Sequence, residues 1–138
     1  MTYKFLEHTA DLKIFVSEKN MEKAFESSAS AVKEAICGKI NVKKAVKKSM
    51  VVSGKDPEAL LYNFLEEFLY LLDAESFLFS KIESLKITKK DKYVLEADIS
   101  GDKASNYKFS NDVKAITYNE MFVRVSKNKC EIQFVLDV

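Results

Sequence analysis

The sequence predicts an α+β fold: a two-layer sandwich in which a mixed, largely antiparallel sheet of about seven strands carries two helices packed on one face. Two segments with helical apolar spacing fall in the first half of the chain, and a succession of alternating apolar runs fills the second. The turns between those late runs are short, which antiparallel pairing allows and parallel pairing does not.

The totals fit this class. A chain of 138 residues is expected to make a single domain, 1–138, large enough to bury a real core. An apolar fraction of 47% with 31% charged residues places the chain with ordinary soluble proteins. The net charge is +1, so no global field favours nucleic acid or a membrane surface. Positive charge is almost all lysine, Arg124 being the one arginine, which disfavours planar bidentate phosphate recognition. Cys37 and Cys130 are too few for a disulfide framework, and a reduced, cytoplasmic setting is expected. Met1-Thr2-Tyr3-Lys4 opens no signal-length apolar run, and no segment approaches the ~20 apolar residues of a membrane span.

Taken in order, Leu12 to Val16 alternates as a strand. Asn20 caps a helix running to about Cys37, with Met21, Phe25, Ser28, Val32 and Ile36 at helical spacing and Gly38 as its stop. Alanines 24, 29, 31 and 35 let that helix lie close to whatever it covers. A strand ends near Ser53 after a solvated first half that holds lysines 43, 44, 47 and 48. Asp56-Pro57-Glu58 starts the second helix: a cap, a proline at the first helical position and an acid at the positive end of the dipole. Leu60, Leu61, Phe64, Leu65, Phe68, Leu69 and Leu72 form a wide apolar stripe, so this helix is the centre of the core. It ends across Asp73-Ala74-Glu75-Ser76. Strands follow over Phe77 to Thr88 and Tyr93 to Ser100, then a polar loop from Gly101 to Asn111. Asp112 to Tyr118 and Met121 to Val125 read as two strands around Asn119-Glu120, and Cys130 to Val138 is the last strand.

The chemistry concentrates at two places. Glu7-His8-Thr9-Ala10-Asp11 holds the only histidine between carboxylates, and the chain stops in strand-like sequence at Asp137-Val138. If the first and last strands are neighbours, Asp11, Asp137 and the terminal carboxylate of Val138 meet at one sheet edge. Three carboxylates need a cation or protons to coexist. All-oxygen ligation suits calcium, magnesium or manganese rather than zinc or copper. The plainer reading is a turn in which Thr9 and Asp11 bond backbone while Asp137 is solvated. Lys114, set among apolar residues, is placed to pair with these carboxylates or with a phosphate. Ser53-Gly54-Lys55 lacks the glycine spacing of a phosphate-binding loop, and no GxGxxG is present, so the chain has no nucleotide loop of its own. No serine or cysteine nucleophile is linked to His8. Lysines 39 to 48 with Tyr107, Phe109 and Phe122 leave open an RNA-binding or chaperone-like module acting on RNA-modifying partners. Lysine on a strand is also the ordinary guard against edge pairing. A metal-dependent hydrolase is a third class, one that would turn over substrate unaided.

Four segments in register carry a resemblance: Phe5-x-Glu7-His8-Thr9-Ala10-Asp11, the Leu60 to Glu75 helix, Val113-Lys114-Ala115-Ile116-Thr117-Tyr118, and Val135-Leu136-Asp137-Val138. Together they resemble archease, from about residue 3 to the carboxyl terminus. The resemblance implies a cytosolic, non-catalytic cofactor of an RtcB-type RNA ligase in tRNA splicing and RNA repair. Such a cofactor promotes guanylylation of the ligase by GTP and multiple turnover, meeting tRNA only through the ligase. It further implies a divalent metal, calcium or else magnesium or manganese, held by Asp11, Asp137 and Val138. His8 and Lys114 are then candidates for partner or phosphate contact. The sequence departs from the family where relatives often carry histidine and this chain has Asn119, so no shared role is assigned to that turn.

Overall fold

A computed structural model describes residues 2–6, 11–109 and 113–138. The order is β1 (Tyr3–Leu6), β2 (Asp11–Glu18), α1 (Met21–Cys37), β3 (Val46–Gly54), α2 (Pro57–Glu75), β4 (Phe77–Lys89), β5 (Tyr93–Lys103), a 3-10 turn at Ala104–Asn106, β6 (Ala115–Ser126) and β7 (Lys129–Asp137). The α+β class and both helices are as predicted, and the strands again number seven, with β1 added and the two strands expected around Asn119-Glu120 joined into one.

The strands are divided differently from the expected single mixed sheet. They form a four-stranded sheet, β1-β2-β7-β6, and a three-stranded sheet, β3-β5-β4, and every pairing is antiparallel. The reason lies in β7, which inserts between β2 and β6 and uses both of its edges, while β3, β5 and β4 satisfy one another. Each helix packs on both sheets: α1 against β2, β7 and β4, and α2 against β3, β4, β5 and β6. A single apolar cluster therefore joins the inner faces of the sheets through the helix pair, with Phe25, Phe64, Leu65, Ile99, Ile132 and Phe134 fully buried.

Local chemistry sets the helix limits as predicted. The Asn20 side chain accepts from the Lys23 N–H at 2.8 Å, and Gly38, at φ 70°, returns its N–H to the Glu34 carbonyl. The Asp56 carboxylate accepts from the Ala59 N–H at 2.7 Å. Glu58, read as a dipole residue, also accepts the Val123 N–H at 3.0 Å and so ties α2 to β6.

Three strand limits differ from the sequence reading. β1 is a short edge strand that had not been distinguished. β5 runs on through Gly101, where a Cβ would collide with the Leu78 carbonyl and the Phe77 ring; glycine is what lets the strand continue. The two strands expected around Asn119-Glu120 are one strand, β6. Its pairing with β7 jumps from Thr117↔Val135 to Phe122↔Gln133, and Glu120 takes φ 57° inside the resulting bulge.

Candidate metal centre

Asp11 opens β2 and Asp137 closes β7, and the two are direct partners in the ladder. Direct partners send their side chains to the same face, with Cβ atoms about 4.5–5.5 Å apart. That face is the outer one, because the next pair inward, Leu12 and Leu136, packs toward the core. Asp137 is exposed, Asp11 half-buried, and Val138 is 39% exposed. Apolar burial of Phe134, Val135 and Leu136 holds β7 in place until the position before Asp137.

The other side of β7 is pinned as well. Ala115 is Asp137's partner on β6, and the Lys114 N–H donates to the Asp137 carbonyl at 2.7 Å. Both neighbours thus fix the backbone of Asp137, and the Val138 carboxylate begins one residue beyond that anchor. The Lys114 side chain is exposed, and what places Lys114 beside the carboxylates is its backbone.

Two aspartates on one face are all-oxygen donors of the kind a hard cation takes. Among the described residues no group of three His, Cys, Asp or Glu side chains is gathered closely enough to hold a metal. His8, with Glu7, Thr9 and Ala10, lies outside the described residues.

Inward along the same face, Lys13 spans Val135 to reach Glu120, with Nζ to Oε1 at 2.9 Å. Gln133 donates from Nε2 to the Glu120 carbonyl at 2.9 Å. The bulge of β6 is therefore tied down beside the carboxylate edge, and Val135 beneath it is fully buried. Sequence reasoning missed Lys13 and Glu120 because Asn119-Glu120 looked like a turn between strands. The available signal was Lys13 standing two positions after Asp11, hence on its face. Asn119 is exposed and donates its N–H to Thr117 Oγ1 at 2.8 Å.

The aromatic residues considered for RNA stacking are engaged in the fold. Tyr107 donates to Asp102 at 2.7 Å and accepts the Lys43 N–H at 2.9 Å. That bond, with those from the Lys103 N–H and the Asn106 amide, holds the Asp102 carboxyl below its ordinary range. Phe109 packs against the core, and Phe122 lies under the Arg124 guanidinium at 3.9 Å. The lysines of β3 sit on an edge strand, where Lys48 pairs with Glu75 at 2.6 Å.

A helix pair clasped by two antiparallel sheets places the chain among small α+β proteins. The chain belongs to the archease protein family (MTH1598/TM1083), which it matches over residues 3–138. It is similar to the protein archease of Pyrococcus furiosus, 38% identical over 140 residues, covering 99% of this chain and 98% of the relative. The Sulfurisphaera tokodaii protein archease is 35% identical over 138 residues, with 99% and 98% covered. The solution structure of Methanobacterium thermoautotrophicum protein 1598 superposes with a TM-score of 0.84 at 28% identity, covering 99% of this chain and 98% of that one. A Thermotoga maritima archease, described as a possible chaperone, shares the fold at a TM-score of 0.66 and 17% identity, with 98% and 96% covered.

Proposed function

We propose that this protein is an accessory activator of an RtcB-type RNA ligase, promoting GTP-dependent guanylylation of the ligase and its multiple turnover in tRNA splicing and RNA repair. It performs no catalysis of its own and meets tRNA through the ligase, in the cytoplasm. The observation that supports the reading is the Asp11–Asp137 ladder pair on the outer face, at the strand end where the resemblance to archease puts metal ligands.

In this reading Asp11, Asp137 and the carboxylate of Val138 hold one divalent cation, calcium, magnesium or manganese. When bound, the cation supplies positive charge that offsets repulsion among the carboxylates and gives the edge a site for phosphate or carboxylate oxygens. The chain's own residues do the positioning. Asp137 is fixed from β2 on one side and from Lys114 and Ala115 on the other, so the ligand oxygens need little reorganisation. The Lys13–Glu120 pair braces the adjacent bulge. Lys114, exposed beside the edge, is the candidate contact for a partner's phosphate or acidic group, and His8 is a second.

The test is guanylylation of a cognate RtcB-type ligase with GTP and metal, with this protein added in substoichiometric amount or withheld. Faster, repeated turnover that disappears with Asp11→Ala supports the reading. No acceleration by the folded protein, with a ligase active alone, contradicts it.

A further inference from the structure

Each sheet has an edge strand beside α2, and one helix side chain meets each: Glu58 takes the Val123 N–H of β6, and the Asn63 amide donates to the Ser53 carbonyl of β3. Before Ser53, the outer edge of β3 is open among the described residues. β3 pairs with β5 in unbroken register from Val46 to Gly54 and has no strand neighbour on its other side among the described residues. The Ser53 carbonyl points away from β5, because it accepts from the Asn63 side-chain amide at 2.8 Å. Backbone direction alternates along a strand, so the N–H and C=O groups of Lys47, Ser49 and Val51 face the same open edge. Among the described residues, none of the backbone-to-backbone hydrogen bonds made outside helices and ladders involves β3.

A groove follows this edge. Its first part, about 520 Å³, lies between Val52 and Ser53 of β3 and Asn63, Glu66, Glu67 and Tyr70 of α2. Its second, about 390 Å³, continues past Glu67 to Leu71 and Glu75, opposite Lys48 to Val51. Positions 63, 66, 67 and 70 fall on one helix face, so the wall is a continuous stripe parallel to the open edge. The floor is thus hydrogen-bonding backbone and the wall is acidic. On the outer face, Val51 is 68% exposed beside the edge, an uncovered β-branched side chain where a cross-strand partner would sit.

We propose that the β3 edge is a docking site for an extended, basic peptide segment of a partner protein, which adds as a fourth strand to the β3-β5-β4 sheet. Its backbone pairs with Lys47, Ser49 and Val51. Alternate side chains, lysine or arginine, face Glu66 and Glu67, and the others lie beside Val51. The charge of the wall calls for such an occupant: among the described residues Glu75 of its three glutamates has a lysine partner, Lys48, while Glu66 meets the Tyr62 hydroxyl. Partial burial, with Glu75 and Glu66 nearby, pushes the Glu67 carboxyl up, and a cation at Glu67 relieves that repulsion. The site lies on the other sheet from Asp11 and Asp137, so it stands independently of the ligase reading.

The probe is a short capped peptide alternating lysine and valine, titrated into the whole protein by amide NMR against a glutamate–valine counterpart. Saturable binding of the lysine peptide, with shifts centred on Ser49 to Ser53 and slowed exchange of the Val51 N–H, is expected. Val51→Pro removes an N–H that β5 does not use, a substitution edge strands tolerate. Both it and Glu66→Lys/Glu67→Lys should weaken binding about ten-fold or more, or about 1.4 kcal/mol, with the other β3–β5 amides unchanged. The helix double variant stands as the test if the proline disturbs the sheet. Absence of saturable binding, equal binding of both peptides, shifts centred elsewhere, or pairing of protein copies through β3 in sedimentation would each overturn the proposal.

Discussion

Asp137 sits where three constraints meet: a buried strand behind it, Asp11 across the ladder, and the Lys114 N–H on its carbonyl. Replacing it by alanine removes a carboxylate and no packing, so the protein should stay folded, shown by an unchanged urea midpoint, while the proposed divalent-cation binding should drop about ten-fold or more. Tyr3 offers a pH-dependent residue-scale prediction. Partial burial and its hydrogen bond to Glu34, 2.9 Å, raise the hydroxyl from 10.0 to about 12. A raised folded-state value means its stabilisation is complete below pH 10 and is lost as pH rises through about 12. Urea unfolding across that window should show a loss in the wild type that Tyr3→Phe lacks. Burial, with Glu131 and Glu22 nearby, pushes the Cys130 thiol up to about 11, and Cys37 is raised too. Ellman's reagent at pH 8 should therefore label neither thiol until denaturant is added. Asp11 and Asp137 were legible in the sequence because charge and apolar context alone set them apart. The Lys13–Glu120 brace was not, since a pair 107 positions apart has no local signal.

Helix limits were the most legible elements, because caps are local chemistry. Asp56-Pro57 and Asn20 needed nothing beyond their own neighbours to be read. Asp56→Ala should cost about 1 kcal/mol in urea unfolding, as loss of a cap bond does. Strand continuity was less legible. Asn119-Glu120 has turn composition, yet burial of Ile116 and Val123 on both sides keeps β6 against β7 and makes the insertion a bulge. Gly54 shows the same dependence on distant structure: a Cβ there would meet the Leu60 N–H and backbone of Ala59 at the start of α2. Gly54→Ala should destabilise by about 1–3 kcal/mol, an overpacking cost fixed by backbone that cannot yield. Lysines on β3 gave the edge away in sequence, but the acidic wall of α2 beside it became visible only once Asn63, Glu66 and Tyr70 were set against the strand.

At the scale of the whole molecule, alternation predicts strands without saying which sheet they join. The α+β class and its two helices were legible; the division into β1-β2-β7-β6 and β3-β5-β4 was not, because it depends on β7 entering between β2 and β6. That insertion is also what brings the first and last parts of the chain together, and with them Asp11 and Asp137. Membership of the archease family is carried by the match over residues 3–138. None of the helices among the described residues is long and apolar enough to cross a membrane. The measurement that most directly tests the central claim is a calorimetric titration of the protein with calcium, repeated with magnesium and manganese, on wild type, Asp137→Ala and a form extended by a few residues beyond Val138. Saturable binding of one cation per chain, weakened about ten-fold or more by Asp137→Ala and weakened also by the extension, is the predicted result. Equal binding by all three folded forms, or none by the wild type, would contradict the assignment of Asp11, Asp137 and Val138 as ligands.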